Sequence, residues 1–373
     1  MTAKPPRAGG RGTSGHAPEP SVPDRATEGD VVASRKDAHL DICLEEAVGS
    51  SGPATGLGGY ALEYDALPEL DLERVDLSVT VLGKRLAAPL IVGAMTGGTE
   101  RAREINHRLA RAAARAGIGM ALGSQRAMVV DPALTRTFEV RDAAPDLPLL
   151  FGNVGAVQLN YGVTAVEVAR MAAAVGADAV NFHLNALQEA IQPEGDTRFA
   201  GLGQKLAEAI PARGVPALVK EVGAGIGERA AAKLAALPLA GVEVAGVGGT
   251  SWALVESYRA PEGGPQGEVG RRLAGFGVPT AHAIAACRRA FGARLVVASG
   301  GIRTGMDVAV ALALGADVAA LARPLLVAAA ESEAAVERAL ATLLYELRVI
   351  LFCTGAANVA ALRQVRVIAP GAR

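Results

Sequence analysis

Eight short apolar runs divide most of the chain into repeating strand-and-helix units. They occupy residues 89–95, 117–124, 148–155, 177–185, 216–223, 241–249, 294–301 and 316–324. Each run is apolar throughout rather than at alternate positions, which is typical of a parallel sheet covered on both faces. Eight such units favour a closed (β/α)8 TIM barrel of the α/β class over an open doubly wound sheet.

Helical spacing fills the segments between these runs. Between the first two, Ile105, Leu109 and Ala112 recur at helical intervals, which predicts an amphipathic helix. A longer Ala-rich pattern predicts a helix over 331–353, outside the barrel or at a subunit contact. Residues 1–30 are rich in Pro, Gly, Ser and Ala and carry few large apolar side chains. We therefore expect a disordered low-complexity tail, followed by a barrel domain at 31–373 that includes an N-terminal extension.

Composition excludes several classes of protein. The formal net charge of −1 provides no basic face for nucleic acid, and aromatic residues at 3% provide few stacking platforms. The three cysteines lack metal-ligand spacing and the N-terminus lacks a secretion signal, which favours a cytoplasmic protein. Gly315, Asp317 and Arg323 interrupt the longest apolar stretch, at 308–330. We therefore expect a buried helix–strand unit there and no membrane partner.

Polar residues collect at the ends of the apolar runs. In a TIM barrel the functional site lies at the C-terminal ends of the strands, so these residues form one candidate set. They are Thr96, Ser124, Gln125, Arg126, Asn153, the group from His183 to Glu189, Lys220, Thr250, Ser251, Gly300, Gly301, Ile302, Arg303, Ala322 and Arg323.

The fourth run delivers Gln188 and Glu189 to a turn, together with His183 and Asn185. One carboxylate among neutral donors suits a hard divalent cation that also holds phosphate oxygens. Alternatively, Glu189 opens the next helix, where a carboxylate suits the helix dipole. On these residues alone the two interpretations have about equal weight.

Two neighbouring loops carry the features of a phosphate site. Ser299–Gly305 follows the seventh run, and Ala322 and Arg323 follow the eighth, which is the usual phosphate-binding position of a barrel. At the first strand end, Met95–Gly98 would let a flat ligand approach the backbone, although a plain tight turn explains the glycines equally well.

Lys220 ends the fifth run and has three interpretations. A cation there would stabilise negative charge on a reduced flavin, or it would form a Schiff base. The third interpretation is a structural ion pair with Glu243 on the adjacent strand. Buried lysines are rare unless they are paired or functional, so all three remain open.

Two further segments add candidates. Thr250 opens what we expect to be the longest loop of the barrel, running to about residue 279, and a loop of that length is usually functional. Trp252 at its base would wall an apolar pocket or pack in the core. The adjacent cations Arg35 and Lys36 suit a diphosphate, although such a pair is usually a solvated surface feature.

No nucleophile elbow, Cys–His pair or HExxH motif occurs in the sequence. The strand ends offer one carboxylate, one lysine and neutral donors, so few side chains are available as general acids or bases. This scarcity favours a cofactor that carries the difficult chemical step.

The motifs RKDAH, MTGG, GSQR, GNVG, HLNALQE, VKEVG, GGTSW, SGGIRTG and ARP together resemble those of type II isopentenyl-diphosphate isomerases, the FMN-dependent form. The resemblance covers roughly residues 33–369. The phosphate loops are shared with other FMN barrels, whereas RKxxH, GSQR and HLNxLQE are more specific. One departure is visible, because Ala186 stands where the family usually has proline.

The resemblance implies the roles of individual residues. FMN would be held by Ala94, Met95, Thr96, Ser124, Asn153, Lys220, Thr250, Gly301, Ile302, Arg303, Ala322 and Arg323. The substrate would contact Arg35, Lys36, Ser124, Gln125, Arg126 and Gln188, with His183 and Asn185 near its diphosphate. Glu189 would bind the metal, while Gln188 and Lys220 are the candidate catalytic residues, Lys220 by supporting the flavin.

The resemblance also implies conversion of isopentenyl diphosphate to dimethylallyl diphosphate by FMN that is reduced by NADPH or another donor, with Mg²⁺ and a tetrameric or octameric assembly. We expect reduced FMN to protonate the alkene, because few side-chain acids are available. The nearest alternative is an FMN-dependent α-hydroxy-acid oxidase or dehydrogenase, which would need a histidine base at a strand end and an arginine for the substrate carboxylate. His282, in the sixth loop-to-helix region, does not obviously fit the role of this base. A non-catalytic flavin-binding scaffold is the alternative outside the enzymes.

Overall fold

The computed structural model describes residues 1–2, 28–49, 54–210 and 214–371 of the chain. Most of the predicted tail, 1–30, therefore lies outside the described residues. The first helix, α1, spans Glu28–Glu45 and begins inside that predicted range. It is followed by short 3-10 turns at Leu57–Gly59 and Leu72–Arg74 and by three short strands. These strands are β1 (Ala61–Leu62), β2 (Val79–Val81) and β3 (Lys84–Leu86).

Eight parallel strands close into a barrel, which confirms the predicted fold class. Each strand lies within one of the eight apolar runs. The strands are β4 (Leu90–Val92), β5 (Gly119–Ala121), β6 (Leu150–Gly155), β7 (Ala179–His183), β8 (Ala217–Lys220), β9 (Gly241–Glu243), β10 (Leu295–Ala298) and β11 (Val318–Leu321). They follow one another around the barrel in chain order, and pairing of β11 with β4 completes the circle.

Helices surround the strands. They are α2 (Glu100–Ala116), α3 (Arg126–Val130), α4 (Ala165–Ala174), α5 (Ala186–Ile191), α6 (Leu202–Ala209), α7 (Glu228–Ala235), α8 (Trp252–Arg259), α9 (Pro265–Arg272), α10 (Thr280–Phe291), α11 (Gly305–Ala313), α12 (Arg323–Glu331), α13 (Glu333–Cys353) and α14 (Val359–Leu362). Further 3-10 turns span Pro132–Thr137 and Ala156–Tyr161, and a last strand, β12 (Val367–Ile368), pairs with β1. The predicted helices at α2 and α13 are confirmed, and Ile105, Leu109 and Ala112 are buried on α2.

The strands bury side chains on both faces, which explains why their sequences do not alternate. A small cluster inside the barrel contains Leu149, Phe151 and Leu218, and a much larger cluster lies between strands and helices. The β2–β3 hairpin covers the N-terminal end of the barrel, where Val81 and Leu86 join the inner cluster. The opposite end, at the C-terminal ends of the strands, is therefore the open one.

The segment from 250 to 279 is not the long loop that we expected. It contains α8 and α9, so the prediction of an extended loop is wrong. Ser251 begins α8 by accepting a hydrogen bond from the Leu254 N–H at 3.3 Å, and Pro265 occupies the first turn of α9. Local signals for both helices were thus present in the sequence. The glycines and prolines around 260–265, which are typical of loops, nevertheless favoured the prediction of a loop.

The apolar stretch at 308–330 forms the end of α11, the barrel strand β11 and most of α12, as predicted. Across the described residues, no helix combines the length and the apolar character needed to cross a membrane.

Two equivalent arginine–aspartate clusters fasten the N-terminal ends of the strands. Arg141 donates to the Asp178 carboxylate at 2.7 Å, and the same carboxylate oxygen accepts the Leu150 N–H of β6 at 2.9 Å. Asp317 repeats this arrangement with Arg288 and the Val296 N–H of β10. Each aspartate thus supplies an acceptor to a backbone N–H in the first two residues of its strand, Leu150 of β6 and Val296 of β10.

We predict that Asp178→Ala destabilises the protein by about 2 kcal/mol, because it removes the charged partner of Arg141 and leaves the Leu150 N–H without its acceptor. Lys84 of the covering hairpin would also lose its partner, which lies 3.0 Å away. Urea unfolding measures the change. Glu268→Ala is the matched control, since its pair with Arg272 is exposed, and it should change stability by less than about 0.5 kcal/mol. Equal effects of the two substitutions would contradict the role assigned to Asp178.

Candidate active site

Two adjoining cavities open at the C-terminal ends of the barrel strands. The first has a volume of about 230 Å³ and the second about 110 Å³. They share a wall made of a few residues from α1, β4, β8 and α8. This wall consists of Lys36, His39, Ala94, Met95, Lys220, Val222 and Trp252. A ligand in one cavity would therefore face a ligand in the other across these side chains.

The first cavity collects most of the predicted cofactor-binding residues. Those that line it are Ala94, Met95, Thr96, Lys220, Thr250, Gly301, Ile302, Arg303, Ala322 and Arg323. Thr96 Oγ1 is buried and has no hydrogen-bond partner among the residues that the structure describes, so it is available to a ligand. These residues come from five different strand ends and meet only because the barrel closes.

The loop after β10 supplies the features of an anion site. Gly300 and Gly301 adopt positive φ angles of 97° and 75°. A Cβ on Gly300 would lie 2.1 Å from the Gly246 carbonyl oxygen, so no larger residue fits this turn. Within the described part of the chain, the N–H groups of Gly301 and Ile302 have no acceptor. Free N–H groups in such a loop suit a phosphate.

Arg323 links this first cavity to α1. Its guanidinium donates to the carbonyl oxygens of Cys43 at 2.8 Å and Glu46 at 2.9 Å. These carbonyls lie at the C-terminal end of α1, where a cation is favourable. The residue predicted to hold the cofactor phosphate therefore also fixes the helix that carries Arg35 and Lys36.

Lys220 is buried in the wall between the cavities. Its ammonium lies 3.3 Å from Glu243 Oε1 and donates to the Glu221 carbonyl at 2.7 Å. The ion pair with Glu243, one of the three interpretations of the sequence, is present. Because Lys220 also lines both cavities, the ion pair does not exclude a role beside a cofactor.

The second cavity is rich in cationic and amide groups. Arg35, Lys36 and Arg126 line it, although they come from α1 and the segment after β5. Desolvation, followed by repulsion from Arg35, lowers the pKa of Lys36 to about 7. Cations held together against their mutual repulsion are typical of a site for a multiply charged anion.

Glu189 is buried at the edge of this cavity. One carboxylate oxygen accepts from Asn185 Nδ2 at 2.7 Å and the other from the Asp196 N–H at 2.7 Å. Burial raises the pKa of Glu189 despite these hydrogen bonds. Asn185 Oδ1 is buried and, in the described part of the chain, has no hydrogen-bond partner, which leaves an amide oxygen beside the carboxylate. No group of three or more His, Cys, Asp or Glu side chains among the described residues could hold a metal by itself.

His183 is held neutral in the second cavity. Burial, and then the charges of Lys220 and Lys36, lower its pKa to about 3. Asn153 Nδ2 donates to the Leu122 carbonyl, so Asn153 Oδ1 accepts from His183 Nδ1 at 2.9 Å. The proton of the imidazole therefore lies on Nδ1, and Nε2 is left as an acceptor.

Three predicted residues lie in places that need separate description. Ser124, predicted to contact both FMN and substrate, and Asn153, predicted to hold FMN, line the second cavity rather than the first. Gln125 lines neither cavity. Its side chain is buried, donates to the Met171 carbonyl at 3.2 Å and accepts from the Asn153 N–H at 2.9 Å. Its predicted substrate contact stays a prediction, and the contacts that the structure provides are structural.

Glu256 on α8 is the most important residue that sequence reasoning missed. It is completely buried and accepts from Gln188 Nε2 at 2.8 Å and from Arg259 at 2.6 Å, while His39 Nε2 lies 3.0 Å away. Against the effect of burial, these partners lower the pKa of Glu256 to about 2. A lone glutamate in the apolar segment WALVES was the available signal, but it was hidden by the assumption of a loop.

Asp196, in the turn after α5, was also missed. Its carboxylate accepts from Arg126 at 2.6 Å and from Gln158 at 2.8 Å. It therefore fixes Arg126 at the second cavity, while its N–H holds Glu189. No motif around Asp196 identifies its side-chain contacts, because Arg126 and Gln158 are distant from it in the sequence.

Comparison with known proteins gives consistent results. The model of the family described as FMN-dependent dehydrogenase matches residues 204–369. Isopentenyl-diphosphate delta-isomerase from a Synechococcus species is 48% identical over 336 residues, covering 90% of this chain and 96% of that protein. The enzymes of the same name from a Nostoc species and Mycobacterium marinum are 49% and 48% identical. The alignment with the Nostoc enzyme covers 87% of this chain and 92% of that enzyme. The alignment with the Mycobacterium marinum enzyme covers 91% of this chain and 97% of that enzyme.

Solved structures of mandelate oxidase share the fold. One, a variant with a monooxide FMN adduct, has a TM-score of 0.63 at 20% identity and covers 92% of this chain and 100% of its own. Another, with (S)-2-phenylpropionate, has a TM-score of 0.63 at 20% identity, with coverage of 92% and 97%. At 20% identity this similarity establishes the barrel fold but does not identify a substrate.

We predict that His183 makes the protein less stable in mild acid. An unfolded histidine titrates near pH 6.5, whereas His183 keeps its neutral form down to a pKa of about 3. Stability is therefore lost as the pH falls below about 6.5, because only the unfolded state takes up the proton.

Urea unfolding of His183→Asn at pH 7 and pH 5 tests this prediction. The variant should lose up to about 2 kcal/mol less than the unmodified protein between these pH values. His282→Asn, at an exposed position on α10 outside both cavities, is the control for the replacement of a histidine. The same pH dependence in His183→Asn and the unmodified protein would disprove the neutral buried state.

Proposed function

The chain belongs to the family of FMN-dependent isopentenyl-diphosphate delta-isomerases, and from this premise we propose that it converts isopentenyl diphosphate to dimethylallyl diphosphate with reduced FMN and Mg²⁺. The observation that carries the proposal is the pair of adjoining cavities, one with a phosphate loop and one with three cations. Their common wall would bring a flat cofactor and a charged small molecule into contact.

The residues of the first cavity fit FMN. The free N–H groups of Gly301 and Ile302 suit its phosphate, and the unpartnered Thr96 Oγ1 suits a polar edge of the ring. When bound, reduced FMN would supply the acid and base that move a proton on the alkene and its neighbouring carbon. Lys220, buried in the shared wall, would bring a positive charge to the ring.

Arg35, Lys36 and Arg126 are the groups we assign to the diphosphate. Each can face different phosphoryl oxygens, and Asp196 keeps Arg126 in place. The bound anion would raise the pKa of Lys36 and keep its ammonium charged, because a nearby negative charge favours the protonated form. Binding of the head group, remote from the alkene, then positions the reacting carbons.

Glu189 and Asn185 fit a divalent cation that keeps ligands from outside the protein. One carboxylate and one unpartnered amide oxygen are too few for a closed metal site. They are suitable for Mg²⁺, which retains waters and takes phosphate oxygens as further ligands. Bound there, Mg²⁺ would neutralise part of the diphosphate charge.

The side chains around the second cavity also suit a carbocation-like reaction. Protonation of an unactivated alkene makes a tertiary cation that water would quench. Trp252 packs edge-on against His39 with their ring centroids 5.1 Å apart and closes the wall beside the shared space. Neutral His183 adds no positive charge that would oppose the developing cation. Gln188 is fixed by Asn185 and Glu256, which suits a positioning role.

The alternative of an α-hydroxy-acid oxidase is not favoured. The relatives that are 48% and 49% identical to this chain are named isomerases. His282, which the sequence offered as a candidate base, is exposed on α10 and lines neither cavity. Reduction by NADPH, a tetrameric or octameric assembly and a cytoplasmic location stay predictions based on the family resemblance.

Anaerobic assay of the purified protein with isopentenyl diphosphate, Mg²⁺ and chemically reduced FMN tests the proposal. We expect dimethylallyl diphosphate to form, and its formation to stop with oxidised FMN. Reduction of bound FMN by a hydroxy acid, without isomerisation, would instead support the oxidase. Bound FMN without turnover of any prenyl diphosphate would support a non-catalytic scaffold.

Replacement of Glu189 tests the metal site. Glu189→Gln should lower Mg²⁺-dependent turnover at least tenfold while FMN stays bound, because the amide removes the charge that attracts the cation. Turnover as a function of Mg²⁺ concentration and the absorbance of bound FMN are the two measurements. Glu208→Gln on the exposed face of α6 is the control and should change neither. Loss of FMN with unchanged dependence on Mg²⁺ would show that Glu189 has a different role.

A further inference from the structure

Glu243, at the end of β9, is a buried carboxylate that the proposed reaction does not use. It lines the first cavity, and only 5% of the residue is exposed. Neither diphosphate binding nor metal binding requires it, because both of those sites lie around the second cavity. A buried carboxylate is costly unless it is paired, so its position beside the cofactor cavity requires a reason.

Hydrogen bonds fix the direction of the Glu243 side chain. Ser299 Oγ accepts from the Ala245 N–H at 3.0 Å and donates its one proton to Glu243 Oε1 at 2.9 Å. The same oxygen lies 3.3 Å from the Lys220 ammonium. This oxygen therefore faces two donors, one of them the ammonium with which it forms an ion pair, and the opposite charges of an ion pair cancel.

The strand register explains why the two charges meet. Lys220 of β8 and Glu243 of β9 are direct partners in the parallel ladder. Both side chains leave the strand ends toward the same cavity. A bound ring would therefore face an ion pair rather than an isolated cation, and the field of an ion pair is much weaker than that of a single charge.

We propose that Glu243 acts through Lys220 to offset its positive charge, so that the reduced flavin keeps its proton and is not held as an anion. The inference rests on FMN binding in the first cavity. An isolated lysine would stabilise the anionic reduced form, which suits an enzyme that oxidises its substrate. A cofactor that must give a proton to an alkene benefits from the opposite balance.

The test uses Glu243→Gln in the FMN-bound protein. The variant leaves the lysine charge uncompensated, so it should stabilise the anionic reduced flavin at least tenfold. Tenfold corresponds to an increase of about 30 mV in the two-electron midpoint potential. Sulfite, which forms an anionic adduct with oxidised flavin, should bind at least tenfold more tightly. Neither measurement depends on isomerase turnover.

Matched variants separate charge from structure. Ser299→Ala removes a hydrogen bond but keeps both charges, so potential and sulfite affinity should change less than threefold. Lys220→Gln should shift both in the opposite direction to Glu243→Gln. The double variant, with both groups neutral, should return both close to the unmodified protein. If Glu243→Gln does not retain FMN, Glu243→Asp should give the same direction with a smaller change, since its shorter side chain withdraws the carboxylate.

Unchanged potential and sulfite affinity in the Glu243 variants would overturn the proposal. Equal changes in Ser299→Ala and Glu243→Gln would also overturn it, because they would indicate a structural effect. The proposed function fails separately. If the Glu243 variants shift the flavin potential but the protein has no isomerase activity, only the proposed function fails. If the protein is an active isomerase but the potentials do not shift, only the inference about Glu243 fails.

Discussion

Closure of the parallel barrel is the constraint on which the rest of the structure depends. Every strand ends at the same rim, so side chains separated by long stretches of sequence become neighbours through strand pairing. His183, Lys220 and Glu243 occupy adjacent positions in the β7–β8–β9 ladder. Backbone hydrogen bonds thus set the order of an imidazole, an ammonium and a carboxylate along one wall. No side-chain interaction has to select this order.

The electrostatics of the rim follow from burial. The second cavity holds cations whose mutual repulsion and desolvation are offset by carboxylates behind them, Glu256 and Asp196. Asp196 accepts from Arg126 and Gln158, and Glu256 accepts from Arg259 and Gln188, so these hydrogen bonds fix the directions of the surrounding donors. An anion that enters therefore meets oriented donors. The same burial keeps His183 neutral, so positive charge is concentrated on groups that suit phosphate oxygens.

Helix α1 lies outside the barrel repeat but completes the site. Arg323 holds the carbonyls at its end, and a bridge between Gly49 and Thr250 fixes the segment that follows. Arg323 and Thr250 line the first cavity, whereas α1 contributes Arg35 to the second cavity and Lys36 to the wall between the two. The two cavities are therefore joined mechanically as well as by their common wall.

The sequence by itself determined the strands, their parallel arrangement and the rim where polar residues meet. Uniformly apolar runs can be buried on both faces only in such a sheet, and strand order then places their ends together. Only the tertiary structure decided which partners those residues have. The contacts of Glu256 with Gln188 and His39, and the structural position of Gln125, depend on how α1, α3 and α8 dock. Docking is set by packing between distant segments, which local spacing does not encode. The segment 250–279 was misjudged for the same reason, because α8 is stabilised by burial against α1 and α5 as well as by its local sequence.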